Sequence, residues 1–124
     1  MTNLDNEIRI NKLISSLQNL MESEKLYLQP KLNRKALAAK LNTNERYLAD
    51  AIQIVIGVTV SAFINQYRLK HSMDLLISNP LMKIEDVAIE SGFTSRVSYF
   101  RVFIREYGFS PTDFRYNYFE GKRK

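Results

Sequence analysis

Two stretches of the chain repeat one another, and this repeat constrains the fold more than any other feature. Leu37-Ala38, a turn, Leu48 and Ile52, then Gly57 parallel Val87-Ala88, a turn, Tyr99 and Phe103, then Gly108. Ala38 lies 19 positions before Gly57, and Ala88 lies 20 before Gly108. Each copy reads as a short helix, a turn and a longer helix that stops at glycine, the residue best suited to a left-handed helix terminus. Long β-branched alternations are missing, and Gly57, Pro80, Gly92, Gly108 and Pro111 divide segments of helical periodicity. The whole chain is therefore expected to be α-helical.

The elements between these marks can be placed. A first amphipathic helix is expected from about Asp5 to Glu24, with Ile10, Leu13, Ile14, Leu17 and Leu20 on one face. A connector containing Pro30 leads to Asn33, a good N-cap. After the first repeat, Thr59 or Ser61 opens the longest interior helix, which ends near Asn79-Pro80. Its apolar residues form two stripes, Val60, Phe63, Ile64 and Tyr67 on one and Leu69, Met73 and Leu76 on the other. Such a helix packs on two sides and suits a strut between two halves. Ser110-Pro111 starts a last helix carrying Phe114 and Tyr118, and Lys122-Arg123-Lys124 reads as a frayed basic tail. The expected segments are 1–25 for the N-terminal adaptor helix, 32–57 for the first unit, 59–79 for the linker helix, 83–108 for the second unit and 110–119 for the closing helix, with 26–124 as one domain.

Composition removes several function classes. The 124 residues include no cysteine, so disulfides, thiolate zinc sites and cysteine nucleophiles are excluded. His71 is the single histidine, and no glycine-rich phosphate loop or nucleophile motif is present. Glu85 and Asp86 are adjacent in a helix's first turn, where they favour the macrodipole and do not converge on a substrate. Neither an enzyme nor a cofactor or metal site is expected. No apolar run approaches a membrane span, and Met1 to Asn6 is polar and acidic, unlike a secretory signal. Cytoplasmic location without membrane contact is the expectation.

The net charge is +5, and its distribution follows the repeats. Residues 1–28 carry three basic and four acidic side chains, residues 29–79 seven and three, and residues 80–124 eight and six. A basic excess over paired helices makes double-stranded DNA the first partner to consider. In a helix-turn-helix, the second helix enters the major groove while the first crosses the backbone. The small Ala38 and Ala88 let the two helices of each unit approach closely. The outward positions of the first unit's second helix are then Arg46, Ala49, Asp50 and Gln53. Those of the second unit are Arg96, Val97, Phe100, Arg101 and Ile104. Arg96 and Arg101 suit guanine O6 and N7 or phosphate, Val97 suits a thymine methyl, and Phe100 is an aromatic on a face expected to be wet.

Ile84 to Phe93, then Tyr99, Arg101, Phe103, Gly108-Phe109-Ser110-Pro111 and Phe114-Arg115 resemble the signature of the AraC/XylS family of bacterial transcription regulators. Leu37-Ala38, Asn44 to Leu48, Gly57, Phe63 to Arg68 and Leu75-Leu76 add to the likeness, which runs from about Leu26 to Tyr118. The resemblance implies an all-α fold of two homeodomain-like helix-turn-helix subdomains joined by a long central linker helix. It implies two reading helices, about one helical turn of DNA or roughly 34 Å apart, in successive major grooves. Asn44 and Ser95 join the DNA-binding set on this footing. RNA polymerase is an implied partner. Dimerisation through the N-terminal helix, or through a sensor domain elsewhere in a longer protein, is a further expectation.

Two departures from the family pattern stand out. Ala49-Asp50 replaces the usual polar residue and arginine, so the first unit is expected to read DNA weakly or selectively and the second to dominate. Gln53-Ile54-Val55-Ile56 is unusually apolar; Ile54 and Val55 are expected either to pack on the N-terminal helix or to form a partner surface. The alternative from another class is an all-helical protein-protein interaction module that uses Phe100, Ile54 and Val55 as an apolar patch.

Overall fold

The computed structural model describes residues 3–123. Seven α-helices run in order: α1 (Asn3–Glu24), α2 (Arg34–Lys40), α3 (Glu45–Val55), α4 (Val60–Ser78), α5 (Ile84–Glu90), α6 (Arg96–Tyr107) and α7 (Pro111–Arg123). A single 3-10 turn, Leu26–Leu28, lies between α1 and α2, and no strand occurs among the described residues. The chain divides into two compact units, Met1–Ile64 and Asn65–Lys124, the division falling inside α4.

In the first unit, α1 packs on α3. It buries Ile14 and Leu17, with Ile10, Leu13 and Leu20 half-buried as flanks. Met21 continues the same face and is fully buried. The Arg9 guanidinium lies 6.0 Å from the centre of the Tyr47 ring on α3. Lys25 takes a left-handed conformation (φ 51°) to close α1, and Leu26 and Tyr27 turn inward behind it. Asn33 caps α2 as expected, its Oδ1 accepting from the Ala36 N–H at 2.8 Å. The buried Leu37, Ala38, Leu48, Ala51 and Ile52 join α2 to α3. Gly57, at φ +85°, donates to the Ile52 carbonyl at 3.0 Å and ends α3. Of the two candidates for opening α4, Thr59 does so: its Oγ1 accepts from the Ala62 N–H at 3.1 Å. Val60, Phe63 and Ile64 are the buried residues of α4 in this unit.

In the second unit, the other stripe of α4 enters a core of Leu69, Leu76, Val87, Ala88, Phe93, Tyr99 and Phe103. The aromatic members meet at angles that suit their quadrupoles. Phe93 lies 5.0 Å from Tyr99, Tyr99 meets Phe103 edge-on at 5.7 Å, and Phe103 meets Tyr107 edge-on at 4.8 Å. The lone histidine packs here, with Nδ1 3.3 Å from Oγ of the buried Ser91. Ser110 caps α7, accepting from the Asp113 N–H at 3.0 Å, with Pro111 at the first helical position. This helix runs past the expected end at 119 to Arg123; the remainder of the expected frayed tail, Lys124, lies outside the described residues.

Arg115 ties α7 to the end of α4. Its guanidinium donates to three backbone carbonyls: Nε to Leu76 at 3.0 Å, Nη1 to Met82 at 2.8 Å and Nη2 to Asn79 at 3.1 Å. The last carbonyls of a helix lack intrahelical donors and carry partial negative charge. A planar, permanently charged fork meets both needs. Partial burial lowers the guanidinium pKa, while the neighbouring Tyr99 acts in the opposite direction.

Candidate nucleic-acid interface

The two units superimpose in sequence with one step between them. Leu37 and Ala38 lie 50 positions before Val87 and Ala88. Asn44 and Ser95, Leu48 and Tyr99, Ile52 and Phe103, and Gly57 and Gly108 are each 51 apart. The turn hydrogen bonds locate the extra residue. The Ala38 carbonyl accepts from Thr43 N–H and the Ala88 carbonyl from Phe93 N–H, both at 3.0 Å. Asn44 follows Thr43 directly, whereas Thr94 intervenes before Ser95. Asn42 at φ 54° and Gly92 at φ 94° supply the left-handed step in each turn.

Asn44 and Ser95 therefore hold equivalent places, and both cap. Asn44 Oδ1 accepts from Tyr47 N–H at 2.7 Å, and Ser95 Oγ accepts from Ser98 N–H at 3.1 Å. On α3, Arg46, Asp50 and Gln53 are exposed along one stripe, and Ala49 is half-buried at its edge. Ala49, Asp50 and Gln53 line a concavity of about 370 Å³ with Arg34, Thr59, Val60 and Ser61. On α6, the equivalent stripe is Val97, Arg101 and Ile104, all exposed. Arg46 thus corresponds to Val97, Asp50 to Arg101 and Gln53 to Ile104. Arg96 corresponds to Glu45.

One expectation about exposure needs correction, and one open alternative narrows. Phe100 does not stand free on a wet face: it is half-buried against the core of its unit and meets Tyr99 edge-on at 6.2 Å. The Arg96 guanidinium covers the ring at 4.8 Å from its centre. Ile54 is not covered by the N-terminal helix, although α1 does pack on α3. It remains 68% exposed, and Val55 is exposed beside it.

The electrostatics at the start of each second helix were not read from the sequence. Arg34 Nε meets Glu45 Oε1 at 3.2 Å in the first unit, and Arg96 Nη1 meets Glu85 Oε2 at 3.2 Å in the second. Both pairs span eleven positions and join the first turn of one helix to the first residue of the next. Equal spacing with opposite charge in both copies was a legible signal. Arg101, in contrast, makes a long contact to Ser98 Oγ at 3.4 Å. Below this surface, burial pushes the Tyr99 phenol up to about 12, with the Arg115 charge acting against the rise. Among the described residues, no cluster of potential ligands could hold a metal ion, and no single helix is long and apolar enough to cross a membrane.

Two like units, each offering the outer face of its second helix, define a tandem helix-turn-helix protein. Comparison with known proteins agrees. Residues 37–117 match the family described as Helix-turn-helix domain. The HTH-type transcriptional activator RhaR of Salmonella dublin is 29% identical over 110 residues, which is 89% of this chain and 36% of that protein. The chain thus spans about a third of the length of the curated relatives it matches. The C-terminal domain of AraT, a response regulator from Geobacillus stearothermophilus, has a similar structure, with a TM-score of 0.73 at 21% identity, covering 87% of this chain and 84% of that one. A transcriptional regulator from Chromobacterium violaceum, described as containing an AraC-type DNA-binding domain, gives a TM-score of 0.69 at 18% identity over 93% and 96% of the two chains. The chain belongs to the helix-turn-helix family of the AraC type and is a DNA-binding domain of the kind found in transcription regulators.

Proposed function

We propose that this chain is the output domain of a longer bacterial regulator, in which α3 and α6 enter two successive major-groove segments of double-stranded DNA. The observation that carries this reading is the equivalence of the exposed stripes Arg46-Asp50-Gln53 and Val97-Arg101-Ile104, each borne on the second helix of its unit. Asn44, Ser95, Ala49 and Arg96 border those stripes and serve as flanking contacts, to phosphate or to base edges. Phe100 contributes its uncovered edge and supports Arg96. Asp50 is repelled by phosphate unless it accepts from cytosine N4, so the second unit supplies more of the affinity.

The segments 1–25 and 26–124 act as an adaptor helix and a DNA-binding domain, with α4 as the connecting strut. RNA polymerase is the partner of a promoter-bound regulator. Dimerisation uses a sensor domain elsewhere in the longer protein, or the outer face of α1. Such a regulator works in the cytoplasm.

Selection of binding sites from random double-stranded DNA tests this reading. Two enriched boxes about ten base pairs apart are expected. Affinity should fall steeply with salt, with a logarithmic slope of about −0.9 per phosphate contact. Charge reversal at Arg101 should abolish enrichment without unfolding the chain. Absence of any enriched site, or binding to a protein partner that is indifferent to salt, would favour the interaction-module reading instead.

A further inference from the structure

We propose that α6 reads thymine by its methyl group, with Val97 and Ile104 as the two apolar readers on either side of Arg101. The proposal rests on the reading that α6 lies in the major groove. Val97 is 73% exposed and Ile104 is 44% exposed. Neither is a member of the core cluster of their unit or of its packed fringe. With Arg101 they occupy positions i, i+4 and i+7, one stripe along the helix. At about 1.5 Å of rise per residue, that stripe spans about 10 Å, the length of about three base-pair steps.

The chemistry of the groove selects the ligand. Base pairs present donors, acceptors and one apolar group in the major groove, and that group is the C5-methyl of thymine. An exposed valine or isoleucine on a groove-facing stripe therefore has one kind of group to pack against. The stripe suits DNA better than a protein partner because it is one residue wide, is interrupted by Arg101 and is bordered by exposed Arg105. Cations alternating with apolar residues complement a polyanion, whereas the core of a protein interface is depleted of charge. The first unit provides an internal control: at the equivalent places α3 carries Arg46, Asp50 and Gln53, which read by hydrogen bonding.

The test uses the whole chain and the site enriched from random DNA. Arg46→Ala and Arg101→Ala assign each box to its helix by which box loses enrichment. The site is then remade with deoxyuridine for thymine in one box at a time, which removes the methyl groups and leaves every hydrogen-bonding group in place. In the α6 box, affinity should fall roughly fourfold per contacted methyl, the factor expected for one buried methylene-sized group. In the α3 box the fall should be smaller, limited to a methyl that Ala49 meets. The Val97→Ala/Ile104→Ala variant should bind thymine and uracil sites alike. Val97→Ser, which removes both γ-methyls at a highly exposed position, provides a second variant should the double change unfold the chain, and it should reduce the uracil penalty.

Equal affinity for thymine and uracil in the α6 box overturns the proposal, as does an α6 box that contains no thymine or a uracil penalty that persists in the variants. In each of those cases DNA is still bound and the groove reading of α6 stands. Failure to enrich any DNA removes that reading itself.

Discussion

Arg96 reaches Glu85 across the turn of the second unit at 3.2 Å, and the first unit makes the same connection between Arg34 and Glu45 with acid and base exchanged. Both pairs are half exposed, so each contributes about 1 kcal/mol or less to stability. Their consequence lies in the local field. Glu45 at the start of α3 favours the helix dipole, whereas Arg96 at the start of α6 opposes it and Glu85 offsets the cost. Arg96 is thus held between a carboxylate on one side and the Phe100 ring on the other.

Glu85→Gln should leave stability within about 1 kcal/mol of the parent. It frees Arg96 to meet a phosphate, so non-specific DNA affinity should rise and the salt slope should steepen by about one contact. Binding isotherms over a range of salt concentrations check this. An unchanged slope would mean that Arg96 stays away from the phosphates.

Asp50 and Arg101 stand at equivalent points on the two stripes, and the sign of each substitution reports what the side chain meets. Asp50→Asn removes an anion and should keep the fold intact while changing affinity for the selected site. Affinity rises if Asp50 only repels phosphate, and falls by about 1–3 kcal/mol if it accepts from a cytosine. Arg101→Gln should weaken binding by a similar amount. Unaltered affinity in Asp50→Asn would place that carboxylate outside the interface.

Arg115 is the residue on which stability should depend most sharply outside the apolar core. Its three carbonyl bonds are charge-assisted, and losing them strands the end of α4. Arg115→Ala should cost about 2–3 kcal/mol in urea unfolding. Arg115→Lys keeps the charge but not the fork, and should recover only part of that loss. If Lys performs as well as Arg, the charge at the helix terminus, and not the three-way geometry, is what matters.

Tyr99 gives the fold a defined alkaline weakness. Below about pH 10 both the folded and unfolded chains keep the phenol proton, and this group adds no pH dependence. Between there and about 12 the unfolded chain ionises while the folded one does not, so stability falls as pH rises. The loss amounts to about 2–3 kcal/mol over that window. Tyr107 is shifted in the same direction, by burial and the adjacent Glu106. Tyr99→Phe should flatten the alkaline fall. It should also cost little at neutral pH, because the buried Tyr99 hydroxyl has no hydrogen-bond partner and Ser72 gives its proton to the Leu69 carbonyl at 2.7 Å. An equally steep fall in the phenylalanine variant would assign the effect to other groups.

Much of this organisation was legible because helix boundaries are local chemistry. Asn33 and Ser110 are N-cap residues by type, and Gly57 and Gly108 are terminators by type; each acts so in the fold. Core positions followed from periodicity, although the stripe read on α1 omits Met21, one turn beyond Leu17 on the buried face. What escaped depends on neighbours far along the chain. Phe100 sits at the margin of the α6 face, and only the adjoining core decides how much of it water reaches. The three acceptors of Arg115 lie 33, 36 and 39 positions away, beyond any periodic pattern. The copies differed visibly in length, but only the paired Ala38 and Ala88 carbonyls identify Thr94 as the added residue.

The dissimilar side chains at matching points of α3 and α6 make two like folds chemically unequal. Identical stripes would ask the same of every site they met. With Arg46, Asp50 and Gln53 on one and Val97, Arg101 and Ile104 on the other, a DNA site selected by both helices is expected to consist of two unlike halves.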